Sequence, residues 1–188
     1  MSVLKQAVEE SLTNIRALAD FEEPVGQAAD MISKCLNRGN KLLMCGNGGS
    51  ASDATHFATE FLCRFVEVRR PFPAISLTAN GEYMTAVCND FGGDEIFARQ
   101  VWGLAEQGDI LIAISTSGKS RNVLRALEEA KRKGIESICL LGRDGGFTRG
   151  VATLEIIAPG NSTVRIQETQ KLLLHVICEM VEQNLPKK

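Results

Sequence analysis

Residues 41–61, KLLMCGNGGSASDATHFATEF, pass from an apolar run through a glycine loop into a segment with helical periodicity. Lys41–Cys45 reads as a strand buried on both faces, because its apolar residues run together without polar alternation. Ser50–Phe65 reads as the helix that follows. A strand entering a helix through glycines is the repeating unit of a parallel sheet, whose crossovers need such a connection. The same alternation continues outward. Further strands are expected at Pro73–Leu77, Asp109–Ser115, Ser137–Leu141 and Thr153–Ile157, with helices over Asp94–Ala105, Ser120–Lys133 and about Thr163–Asn184. The expected fold is α/β, a three-layer sandwich with a central five-stranded parallel sheet flanked by helices.

Two helices precede the first strand. Leu4, Ala7, Val8, Leu12, Ile15 and Leu18 form one stripe, and Val25, Ala28, Ala29, Ile32 and Leu36 form another within Glu22–Leu36. Asn37-Arg38-Gly39-Asn40 stops the second. With the last helix they exceed what one sheet needs, so their apolar surface is expected to meet a partner copy. No linker divides the chain, which reads as one domain over 1–188, a helical segment 1–38 followed by an α/β core 39–188.

Composition limits the function. The 188 residues are 44% hydrophobic and 23% charged, a globular balance. The 21 basic and 23 acidic residues give a net charge of -2, which opposes a general field for nucleic acid. No apolar run approaches a membrane span, and MSVLKQAVEESL is an amphipathic helix start rather than a signal peptide. A cytoplasmic protein is expected, with no membrane or nucleic-acid partner. Its six cysteines are scattered without a C-x-x-C pair, so they read as reduced thiols.

Two loops at strand ends suit an anion. Gly46-Asn47-Gly48-Gly49-Ser50-Ala51 satisfies G-x-G-x-x-A, and its glycines let the backbone approach a ligand at a helix start. A dinucleotide site would also want an acidic residue ending the next strand, where Thr78, Ala79 and Asn80 stand. Ser115-Thr116-Ser117-Gly118-Lys119-Ser120 offers four hydroxyls at a second strand-to-helix junction, which suits a phosphate monoester and equally an ordinary helix cap. Its tail imitates a P-loop, but Ala113 occupies the place of the required first glycine.

The two histidines bracket the acid–base possibilities. His56 and Glu60 are one helical turn apart and share a face. On the last helix, Gln167 and His175 are separated by about 80° around the axis and about 12 Å along it, so they need not meet at one atom. His56, Glu60, Gln167 and His175 together make a nitrogen and oxygen donor set acceptable to Zn²⁺; singly, each has an ordinary surface or core reading.

These stretches resemble the phosphoheptose isomerase family of the SIS (sugar isomerase) domain superfamily. The resemblance runs through CGNGGSASDATHFATEF, RPFPAISL, CNDFGGDEIFARQV, GDILIAISTSGKSRNVLRALEEAKRKG and RIQETQKLLLH, in order, over nearly the whole chain. It implies a flavodoxin-like strand order and N-terminal helices used in oligomerisation. The implied activity is conversion of D-sedoheptulose 7-phosphate to D-glycero-D-manno-heptose 7-phosphate, toward ADP-heptose and the lipopolysaccharide core. It also implies a homotetramer with sites between subunits and one Zn²⁺ per subunit. By motif, Asn47, Gly48, Gly49, Asn89 and Asp90 would line the sugar site, joined by Glu60 and Gln167. Ser115, Thr116, Ser117 and Ser120 would hold phosphate. Glu60 and His175 would be the catalytic pair, and His56, Glu60, Gln167 and His175 the metal ligands. Cys88, Gln170 and the stretch Asn80–Tyr83, expected as a loop bordering the pocket, depart from the family pattern. The rival reading is a non-enzymatic regulator resembling the DnaA initiator-associating protein, which lacks the counterparts of Glu60 and His175; an isomerase of another phosphosugar is the second alternative.

Overall fold

The computed structural model describes residues 1–186. Five strands, β1 (Leu42–Gly46), β2 (Ala74–Ser76), β3 (Ile110–Ser115), β4 (Glu136–Gly142) and β5 (Leu154–Ala158), form one parallel sheet in the order β2-β1-β3-β4-β5. The expected strands all form, each shifted or trimmed by a residue or two. Every residue of β1 and β3 is buried, since helices cover both faces, and this is why their sequences run apolar without alternation. β2 is the shortest, an edge strand entered through Pro71 and Pro73.

Among the described residues seven α-helices complete the fold: α1 (Val3–Ala17), α2 (Glu22–Asn37), α3 (Gly49–Leu62), α4 (Gly81–Asp90), α5 (Ala98–Leu104), α6 (Arg121–Lys133) and α7 (Thr163–Asn184). Alternate strand residues feed two cores. Leu42, Met44, Ile110, Ile112 and Ile138 pack with α2, α3 and α7 on one face. Leu43, Cys45, Leu111, Ala113 and Cys139 pack with α4, α5 and α6 on the other.

Three expectations need correction. Asn80–Tyr83 is not a loop: the Asn80 side chain accepts a hydrogen bond from the Tyr83 N–H at 3.0 Å and caps α4, which runs to Asp90. The helix expected over Asp94–Ala105 is broken into a 3₁₀ turn at Gly93–Glu95 and the shorter α5. The helix expected to reach Phe65 stops at Leu62, where an arginine described below takes its terminal carbonyls.

Helix α1 touches the rest through polar contacts. Ser11 Oγ donates to Glu168 at 2.8 Å and accepts from Arg165 at 3.0 Å. Its Val8, Leu12 and Ile15 stay 47%, 42% and 44% exposed. Cys35, Cys45, Cys139 and Cys178 are buried thiols, and burial pushes Cys45 up to about 12, so it stays protonated and packs as a small hydrophobe. Among the described residues no helix is long and apolar enough to cross a membrane.

Candidate active site

β1 and β3 are neighbours in the sheet, yet α3 leaves β1 for one face and α6 leaves β3 for the other. The reversal opens a crevice at their C-terminal ends, the usual ligand position in open α/β sheets. Both candidate loops border it. Gly48 has φ +56°, which favours glycine, and a Cβ on Gly49 would run into the Gln167 carboxamide. Asn47 and Asn122 exchange two amide hydrogen bonds, 2.8 and 2.9 Å, tying the glycine turn to the first turn of α6.

The serine loop is braced internally. Ser115 Oγ accepts from the Gly118 N–H at 3.2 Å and lies 3.2 Å from Ser120 Oγ. Ser117 Oγ accepts from the Lys119 N–H at 3.1 Å. Ser120 holds the N-cap position of α6, so its hydroxyl and the helix N–H groups face the same crevice end. Gly118, at φ +62°, has its carbonyl held by the Thr148 hydroxyl at 2.7 Å, and a Cβ there would strike the Gly145 carbonyl. Gly118→Ala is therefore expected to cost about 1–3 kcal/mol, from left-handed strain and a backbone collision. A urea midpoint equal to that of the unmodified protein would contradict the bracing.

The acid–base residues meet along a different seam. Helices α3 and α7 run side by side on the first core, and their polar contacts form a ladder. Gln167 Nε2 donates to Asp53 Oδ2 at 3.1 Å, and the Lys171 ammonium lies 3.0 Å from Asp53 Oδ1. Below them, His175 meets the His56 ring edge-on at 5.3 Å, and His56 Nε2 is 2.8 Å from Glu60 Oε1. Asp53, His56, Phe57, Glu60, Lys171, Leu174 and His175 line one small cavity.

Three of the four proposed metal donors thus share a cavity, while the fourth, Gln167, spends its amide on Asp53 at the upper end of the ladder. Among the described residues no group of three or more His, Cys, Asp or Glu is arranged to hold a metal ion. Asn89 and Asp90 are not brought to this cavity either. They sit at the exposed end of α4, in the opposite layer, where Asn89 Nδ2 donates to Asp90 Oδ1 at 2.8 Å.

Sequence reading missed four residues that shape the site. Asp53 and Lys171 lay within quoted motifs, and Lys171 is one turn from both Gln167 and His175, a spacing that could have drawn notice. Arg69 and Glu182 offered no such signal. Arg69 Nη2 and Nη1 donate to the carbonyls of Glu60 (2.6 Å) and Phe61 (3.0 Å), ending α3. Its Nε donates to Glu182 Oε1 at 3.0 Å, and Glu182 Oε2 accepts from the Val66 and Glu67 N–H groups. Burial raises the Glu182 carboxyl, but these N–H donors and Arg69 outweigh it and hold the group below the usual carboxylate range. The buried departure Gln170 donates to the carbonyls of Leu140 and Leu141 at 3.1 and 3.0 Å, anchoring α7 to the end of β4.

A family model for the SIS domain matches residues 4–142. A phosphoheptose isomerase of Coxiella burnetii is 45% identical over 186 residues, covering 97% of this chain and 94% of that one. The chain belongs to the phosphoheptose isomerase family. A phosphoheptose isomerase of Shewanella sediminis is 46% identical over 176 residues, covering 92% and 89%. The solved structure of a phosphoheptose isomerase from Francisella tularensis superimposes with a TM-score of 0.92 at 36% identity, covering 97% and 100%. That likeness extends family membership to the whole α/β architecture, the N-terminal helices included.

Proposed function

We propose that this family member converts D-sedoheptulose 7-phosphate to D-glycero-D-manno-heptose 7-phosphate, an aldose–ketose isomerisation supplying ADP-heptose for the lipopolysaccharide core. The observation that carries the reading is the meeting of Glu60 and His175, from two helices, in one cavity with His56 beside them. The regulator reading expects neither the glutamate nor the histidine.

Moving a proton between C1 and C2 through an enediol needs a base at carbon and an acid at oxygen. Glu60 is the base. His56 holds its carboxylate by the 2.8 Å contact, and His175 serves ring opening and oxygen protonation. Ser115, Thr116, Ser117 and Ser120 hold the phosphate, so that remote binding energy fixes the sugar chain for proton transfer. Asn47, Gly48, Gly49 and Gln167 line the sugar, and Asn89 and Asp90, exposed in the opposite layer, belong to that lining by motif alone. Glu60 stands about 16 Å along α3 from Gly49, a helix length from the glycine turn. We therefore place the complete site between subunits of a homotetramer, a reading supported by the exposed apolar stripe of α1.

Two imidazoles and a carboxylate in one cavity are donors of the type Zn²⁺ takes. His56, Glu60 and His175, not arranged as a metal site as they stand, would have to close in and Gln167 leave Asp53 for the four to hold one ion per subunit. Bound there, zinc would supply Lewis-acid polarisation of the sugar oxygens. A cytoplasmic location without membrane contact belongs to this reading, as does the lack of a nucleic-acid partner, which the -2 charge supports.

The test is turnover of sedoheptulose 7-phosphate by purified protein, first stripped of metal and then with added Zn²⁺. Product formation is expected; a folded protein inert under every metal condition would turn the assignment to another phosphosugar or to a regulator. Ser120→Ala is expected to raise KM about tenfold or more, the loss of a hydrogen bond to a charged group, with kcat little changed. An unchanged KM would remove Ser120 from the phosphate site.

A further inference from the structure

The Gly118-Lys119-Ser120 tail carries a lysine that the reaction above does not use, and that lysine has company. The serine loop packs against the loop that follows β4. The Gly118 carbonyl accepts from the Thr148 N–H at 3.1 Å and from its hydroxyl at 2.7 Å. A Cβ on Gly142 would strike the Thr116 carbonyl, so the two loops also touch where they leave their strands. Residues 115–122 and 142–149 set Lys119, Arg121, Arg143 and Arg149 against the single carboxylate of Asp144, a net charge of +3 in a chain of -2. All four cations are exposed, and among the described residues none forms an ion pair with a carboxylate. Farther along α6 the arginines are paired, Arg125 with Glu95 and Glu128, and Arg132 with Glu129.

Two local rules are broken in these loops. A helix start is already positive and favours carboxylates, yet the first turn of α6 has no acidic residue and begins with Arg121. Arg143 has φ +56° and is, among the described residues, the one non-glycine residue in the left-handed region. Arginine lacks the short polar side chain that eases such strain in asparagine or aspartate. Asp144 does not balance the charge. The N–H groups of Gly146 and of its own residue hold its carboxyl below the usual carboxylate range, and the charges of Lys119 and Arg143 add to this. Excess positive charge at a helix start is unfavourable until an anion arrives, and broken local rules of this kind mark sites of function.

Resting on the isomerase reading, we propose that Lys119, Arg121 and Arg143 form a cationic rim that draws the substrate's phosphate to the serine loop and selects phosphorylated over uncharged sugars. Arg149 stands apart, because its Nη1 turns back to the Asp144 carbonyl at 3.5 Å. Hydroxyls fix the geometry of a phosphate monoester but bring no charge against its roughly -2. The rim supplies that charge through its field, at a range beyond hydrogen bonding, and salt therefore screens it. Exposed cations are individually weak. Three of them acting on a dianion are expected to contribute about five- to tenfold in kcat/KM at low ionic strength.

The test compares unmodified protein with Lys119→Gln/Arg121→Gln/Arg143→Asn, asparagine being a residue that tolerates positive φ. A control, Lys34→Gln/Arg38→Gln/Lys131→Gln, removes the same net charge at the opposite end of the sheet. Lys119→Gln/Arg121→Gln leaves the backbone at residue 143 alone and keeps the test valid if the triple variant folds poorly. Kinetics on sedoheptulose 7-phosphate are read from about 0.02 to about 0.5 M salt, and melting temperature with and without inorganic phosphate. The rim variant is expected to lose about five- to tenfold in kcat/KM at low salt, mostly through KM, with a flatter salt dependence than the control. The double variant should lose about two- to fivefold. Phosphate should raise the melting temperature of the unmodified and control proteins, and that of the rim variant much less. A low-salt KM or a salt slope equal to the control's in both rim variants would overturn the proposal. If every protein is inert, the isomerase reading fails and the melting curves alone decide the rim. A phosphate shift lost with the rim then upholds it as an anion site, and an equal shift in all the proteins overturns it.

Discussion

Glu60→Gln is expected to lower kcat for sedoheptulose 7-phosphate by about 10²–10⁴-fold, the usual weight of a positioned general base, while substrate still binds. The amide is nearly the same size, so the cavity keeps its shape, and the carboxamide can still face His56 across the 2.8 Å contact. What is lost is an oxygen able to take the proton from carbon. His175→Gln should give a loss of similar order, because the imidazole reaches the same cavity from α7. Steady-state kinetics would read the first quantity and calorimetric binding the second. A Glu60→Gln protein that binds substrate and keeps full turnover would remove Glu60 from the chemistry.

Glu182→Ala is expected to lower folding stability by about 3–5 kcal/mol, the cost of stranding one member of a buried ion pair. Arg69 and Glu182 are 6% and 8% exposed, so water cannot replace the lost partner. The variant would leave the Arg69 guanidinium buried and the Val66 and Glu67 N–H groups unsatisfied. It would also loosen the end of α3, because the same guanidinium holds the Glu60 and Phe61 carbonyls. The acid limb gives an independent reading. Glu182 is held below its ordinary value of 4.5, so its contribution is complete above that pH and is lost as pH falls through the lower folded value. Urea midpoints should therefore drop more steeply below about pH 4.5 in the unmodified protein than in Glu182→Gln. Parallel acid limbs, or a neutral-pH midpoint unmoved by Glu182→Ala, would show that the pair does not hold the helices.

Local periodicity made the sheet legible. Apolar runs such as Asp109–Ser115 have few alternatives once helices flank them, and the glycine and serine loops marked the crevice end of β1 and β3. Helix α4 escaped because it is short, GEYMTAVCND, and buries only Val87, so it offered little core face to read. Its cap, Asn80, was in plain view and was read as part of a loop. The site was legible where two residues share a turn, as His56 and Glu60 do. The approach of His175 to them depends on how α7 lies on α3, which spacing within one helix cannot state. Arg69 and Glu182 lie on segments distant in sequence, joined only by the fold.

The sheet keeps the two halves of the site in separate cores. The serine loop opens α6 against one of them, whereas Glu60, His56 and His175 ride on helices packed into the other. Between them stands a sheet whose packed neighbours lie about 10 Å away on each side. A substitution that repacks the far turns of α3 or α7, beyond the Asn47–Asn122 tie and the Gln170 anchor, therefore reaches the acid–base end without disturbing the serine hydroxyls. On the proposed reading, such a scaffold can drift toward new sugars one mutation at a time, since the phosphate handle is inherited intact while the reacting end is under trial.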